Sequence, residues 1–144
     1  MNLFAPFLIV LSFLFSNSDN SQNVELTITG IRSSEGKIRI GLFEDDQTFQ
    51  KETAAQNFEF EKTGLKNGEM TVQLKLESGI IGLSLLDDEN GNSEMDYNFF
   101  GLPKEGFGFS NYYHSGFTKP VFEDFDFELN KPDQQVEIKI RYIL

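Results

Sequence analysis

The chain has no cysteine, no tryptophan and a single histidine, His114, in 144 residues. Without cysteine it can form no disulfide, no thiolate zinc or iron–sulfur site, no cysteine nucleophile and no thioether-linked lipid. Basic residues are also scarce, with 12 Lys and Arg against 23 Asp and Glu and a net charge of −11. So acidic a chain lacks the basic footprint that nucleic acids or anionic membranes require. It suits a soluble protein that attracts cations. A chain of this length forms one ordinary domain, which buries about two thirds of its unfolded surface and needs no covalent staples.

Charge is missing altogether from Met1 to Ser18, and Leu3 to Phe15 is almost continuously apolar. A run of about 13 apolar residues falls short of the roughly 20 needed to cross a bilayer but fits the hydrophobic segment of an export signal. Ser16 and Ser18 supply small residues at −3 and −1 of a cut after Ser18, although the segment has no Lys or Arg before its apolar run. The expectation is a signal peptide over 1–18 and a mature chain starting near Asp19. That chain is exported to the periplasm, the cell surface or the medium, with no membrane insertion of its own.

From residue 24 onward, apolar side chains alternate with polar ones at the period of half-buried strands. Val24, Leu26 and Ile28 begin the pattern, Ile38, Ile40 and Leu42 repeat it, and Phe58 with Phe60 forms a short strand. Val72, Leu74 and Leu76 follow the hairpin-type pair Asn67-Gly68, and Ile80 to Leu86 reads as a central strand. Phe125, Phe127 and Leu129 make the sixth strand, and Val136, Ile138, Ile140 and Tyr142 the seventh. The one helix candidate is Gln47 to Gln56. Seven strands, each with one wet face, pack most economically as an all-β, two-layer antiparallel sandwich, immunoglobulin-like or transthyretin-like, over residues 19–144. A closed barrel is the runner-up.

The alternation stops between residues 87 and 120, where a long acidic and then aromatic loop is expected. Loops of more than about 15 residues in a compact domain usually carry function or are disordered. The aromatic content, with Phe99, Phe100, Phe107, Phe109, Tyr112 and Tyr113, argues for order. The first half has calcium-loop spacing, with Asp88, Asn90 and Asn92 at relative positions 1, 3 and 5. Glu94 follows at position 7, where a main-chain carbonyl serves, and Asp96 at position 9. Hard Ca²⁺ takes six to eight oxygens from such mixed carboxylate and amide sets. Two features depart from an EF-hand: position 6 is Ser93 rather than Gly, and position 12 is Phe99 rather than a bidentate Glu. The plainer alternative is a solvated turn. Against it, Asp87, Asp88, Glu89, Glu94 and Asp96 crowd negative charge with no cation among them. Asp87 or Glu89 is expected to complete the coordination shell.

The whole block from Asp88-Glu89-Asn90-Gly91-Asn92 through Met95-Asp96 to Asn98-Phe99-Phe100-Gly101-Leu102-Pro103-Lys104-Glu105-Gly106-Phe107-Gly108-Phe109-Ser110-Asn111 resembles domain-of-unknown-function family 2141. Gly79 opening the preceding strand and the Pro120 to Phe127 run are similar too. The resemblance implies a small secreted bacterial β-sandwich protein with a signal peptide, and no assigned activity. Family members commonly have Gly where this chain has Ser93, and often His where it has Asp87.

No catalytic arrangement stands out. The glycines from Gly101 to Gly108 neither follow a strand nor open a helix, so they do not form a phosphate cradle. Ser110 is in no nucleophile elbow, and His114 reads as an ordinary loop residue. Phe residues of the loop are expected in a small second core, with Tyr112 and Tyr113 the better candidates for contact with a ligand. The expectation is therefore a non-catalytic extracytoplasmic binding module with a Ca²⁺ loop and an unidentified ligand. The alternatives are a small metal-dependent hydrolase using the same acids, and a purely structural secreted protein without metal.

Overall fold

The computed structural model describes residues 19–144, so the expected export signal at 1–18 lies outside the described residues. Its elements run β1 (Ser21–Thr29), β2 (Lys37–Phe43), α1 (Asp46–Gln50), β3 (Gln56–Glu61), β4 (Met70–Glu77) and β5 (Gly79–Asp88). Then come β6 (Gly106–Phe109), a 3₁₀ turn at Phe122–Asp124, β7 (Phe127–Leu129) and β8 (Gln134–Lys139). Period-two alternation becomes burial directly: Val24, Leu26, Ile28, Ile38, Leu83 and Ile138 are all fully enclosed. They meet between two sheets, a three-stranded one in the order β4-β1-β8 and a five-stranded one built on β3-β2-β5-β6. β7 and β6 share one edge of β5, with β7 beside Gly79–Ile81 and β6 beside Ser84–Asp87. The result is a two-layer sandwich rather than a closed barrel.

Three details differ from the sequence reading. First, β1 runs antiparallel to β4 but parallel to β8, so the sandwich is not wholly antiparallel. Second, α1 ends at Gln50. Asp45 caps its start, accepting from Thr48 N at 2.7 Å, but Glu52 then adopts φ 57°. Ala55 N bonds Leu42 O at 2.8 Å, which draws the chain into β3.

Third, the described residues form eight strands, because Gly106–Phe109 is one. Pairing Leu85 with Gly108 and Asp87 with Gly106 turns both glycines toward the interior. A Cβ on Gly106 would sit 2.4 Å from the Tyr142 ring, and one on Gly108 2.5 Å from Ile138. The glycines let this edge of the large sheet close onto the C-terminal segment. The same register turns Phe107 and Phe109 to the outer face. There Phe109 joins Phe43, Phe49, Phe122 and Phe125 in a second buried cluster that includes residues of α1 and the 3₁₀ turn. Phe49 meets the Phe125 ring edge-on at 4.8 Å between centroids.

Candidate metal centre

The acidic segment starts inside a strand. Asp87 and Asp88 are the last residues of β5, both fully buried, and adjacent strand residues point to opposite faces.

Asp87 points inward, where its Oδ1 forms an ion pair with Lys62 Nζ at 2.5 Å and its Oδ2 accepts from Tyr142 OH. Lys62 Nζ also donates to the main-chain oxygens of Ser33 at 3.0 Å and Glu35 at 2.5 Å. Burial, reinforced by the hydrogen bond to Asp87, holds the Tyr142 phenol well above its ordinary pKa. Glu89, next beyond β5, is engaged by Arg32 Nη2 at 2.6 Å and Ser33 Oγ at 2.8 Å. The Arg32 hydrogen bond lowers its pKa against the opposing effect of burial. Neither residue completes a shell around the loop, contrary to expectation: each is committed to a cation on the opposite side of β5.

Asp88 points outward from the five-stranded sheet. Its Oδ2 accepts from Arg39 Nε at 2.6 Å and from Ser93 N at 2.9 Å, while its Oδ1 is buried and has no hydrogen-bond partner. Burial alone would raise this carboxyl, but Arg39, Ser93 N–H and Gly91 N–H outweigh it and hold Asp88 below the ordinary range.

The loop then winds through two Asx turns. Asn92 N donates to Asn90 Oδ1 at 3.1 Å, and Glu94 N donates to Asn92 Oδ1 at 3.0 Å. Both amides also reach Asp96 Oδ2, Asn90 Nδ2 at 2.5 Å and Asn92 Nδ2 at 2.9 Å. Ser93 adopts φ 70°, a left-handed conformation that costs a non-glycine residue about 1–2 kcal/mol. Of the five expected ligands, Asp88, Asn90, Asn92 and Asp96 are thus brought around one turn. Glu94 enters through its main chain, and its side chain is exposed.

Sequence reasoning missed two contributors. Arg39 on β2 partly neutralises Asp88. Glu105, the residue before β6, is only 5% exposed, and its Oε2 accepts from Asp96 N at 3.3 Å. Its Oε1 is buried without a hydrogen-bond partner. Burial raises its pKa, as do nearby Asp96 and Asp88, against the lowering effect of Asp96 and Asn90 N–H groups. Among the described residues, no three His, Cys, Asp or Glu side chains gather closely enough to hold a metal by themselves. Any shell here draws on the amides as well.

The stretch from Tyr97 to Lys104 projects, whereas Gly106 to Tyr112 folds back onto the sandwich. Lys104 N bonds Asp96 O at 2.8 Å and Asn98 N bonds Leu102 O at 2.9 Å, forming a narrow arm. At its tip Phe99 is 97% and Phe100 83% exposed, so these two are not part of a second core as expected. Between this arm and the 114–120 segment lies an open groove of about 770 Å³ lined by Arg39, Ser84, Leu86, Tyr97, Phe107 and Phe117. Tyr113 is half exposed beneath Lys139 Nζ, whereas Tyr112 packs on the Phe cluster.

The remaining catalytic candidates have structural partners. Ser110 is fully buried, donating to Phe125 O at 2.7 Å and accepting from Leu83 N at 2.9 Å. His114 Nε2 lies 2.6 Å from Thr118 O, and Nδ1 lies 3.4 Å from Tyr112 OH.

Taken together, these features define a β-sandwich with an oxygen-lined acidic turn at the end of one strand of its larger sheet. The chain belongs to a family described as uncharacterized protein conserved in bacteria (DUF2141), whose model matches residues 26–137, from β1 into β8. No curated protein and no solved structure matches the chain.

Proposed function

We propose that the protein is an exported, non-catalytic binding module whose acidic turn is organised by Ca²⁺. The ligands in this reading are Asp88, Asn90, Asn92 and Asp96, with the main-chain oxygen of Glu94. The observation that carries it is the buried, partnerless Oδ1 of Asp88 at the base of a turn lined by two amide oxygens and the Asp96 carboxylate. Each Asx-turn oxygen keeps a second lone pair, so a hard cation can bind without unmaking the turn. The cation neutralises the turn and steadies the arm whose tip bears Phe99 and Phe100. That arm and the neighbouring groove form the surface for an extracytoplasmic ligand. The partners of Ser110 and His114 support the non-catalytic reading, since neither is paired as nucleophile and base.

Calcium that binds only the folded state must raise the melting temperature once its concentration passes its dissociation constant, here on the order of 10⁻⁴ to 10⁻³ M. The expected result is a calcium-specific rise absent with matched NaCl and abolished in Asp88→Asn. A melt unchanged between EDTA and millimolar CaCl₂ would rule the site out. For export, mass spectrometry of the chain recovered outside the cytoplasm should show an N-terminus at Asp19. A full-length chain retained in the cytoplasm would refute that part of the reading.

A further inference from the structure

We propose that Glu105 is the ligand that closes the cation site, reaching it from the neighbouring strand rather than from the loop. This rests on the calcium reading above and adds the acidic ligand that position 12 of the loop, Phe99, fails to supply. The register carries the argument. The β5–β6 ladder ends where Asp87 pairs with Gly106, and Asp88 and Glu105 are the next residues along the two chains. Two carboxylates held near each other repel, and both of these are enclosed. Each retains one buried oxygen without a hydrogen-bond partner, Oδ1 of Asp88 and Oε1 of Glu105. Oε2 of Glu105 is oriented by Asp96 N, from the residue that also receives both loop amides.

Charge gives the class of ligand. Asp88, Asp96 and Glu105 supply three carboxylates, which need the Asn90 and Asn92 amides to complete a shell, and Arg39 bonds only Asp88 among them while also pairing with Glu59. The negative charge left over suits a divalent cation, and an all-oxygen donor set selects Ca²⁺ over softer metals. Glu105 lies 17 residues beyond Asp88, so a cation held by both ties the loop's two ends and stitches β6 to the end of β5.

The test compares Glu105→Gln with wild-type protein by calorimetric titration with CaCl₂ and by thermal melts in EDTA. Glutamine keeps an acceptor for Asp96 N and removes one of the buried negative charges. The expected pattern is therefore a crossing: in EDTA, Glu105→Gln melts at or above the wild type. In calcium it binds about tenfold or more weakly and loses most of the ligand-induced rise. Wild-type protein that binds calcium alongside a Glu105→Gln variant of equal affinity would overturn the Glu105 assignment alone. A lower melt of Glu105→Gln in EDTA would overturn it too, marking the residue as structural. Wild-type protein that binds no calcium would overturn this inference together with the reading it rests on.

Discussion

Replacing Lys62 with methionine should destabilise the fold by about 3–5 kcal/mol, because it leaves the Asp87 carboxylate buried without its cation. The Lys62 side chain is 1% exposed and that of Asp87 is fully enclosed, so water cannot take over the role of either. Methionine roughly preserves the volume of the lysine stem, which confines the effect to the charge and the hydrogen bonds to Ser33 and Glu35. The attraction within such a pair largely repays the desolvation of both ions, so removing both charges should cost far less than removing one. The double variant Lys62→Met with Asp87→Leu is therefore expected to recover most of the loss. Urea unfolding of both single variants and the double variant gives the coupling. A Lys62→Met variant within about 1 kcal/mol of wild type would mean that Asp87 is neutral or reaches water.

Gly36→Ala should be nearly as damaging, for a geometric reason. Gly36 has φ 69°, and a Cβ there would fall 1.9 Å from Asp88 O and 2.6 Å from Glu89 Cα. Those are main-chain atoms at the entrance to the acidic turn, so no side-chain rotation relieves the clash. Left-handed backbone strain contributes about 1–2 kcal/mol and overpacking about 1–3 kcal/mol more. Gly64 separates the two effects, because it has φ 80° but nothing within 4 Å of a built Cβ. Gly64→Ala should show the backbone strain alone. Equal losses for the two variants in chemical denaturation would show that the turn after β5 moves aside freely.

Some of this was open to reading from the residues. β1, β2, β4 and β8 are half-buried, and such strands write their alternation into the sequence. β6 does not, because glycine occupies the inward positions where an apolar residue would normally mark the core. The boundary of β5 was obscured for a related reason: two aspartates look like the start of a loop, yet each is buried against its own cation. The turn from Asp88 to Asp96 was legible because its donors are close in sequence. Glu105 was not, since only the strand register brings it beside Asp88. The helix expected to run to Gln56 stops early because Ala55 is claimed by Leu42 of β2, a contact that local propensity cannot see.

The parallel pairing of β1 with β8 also bears on the order of folding. β1 lies between β4 and β8, so the small sheet stays incomplete until β8 is in place. Contacts this distant in sequence close late, and chains dominated by them fold slowly. A nascent copy therefore cannot complete its core from the N-terminus forward. Until β8 is present, β1 is paired along its β4 edge alone.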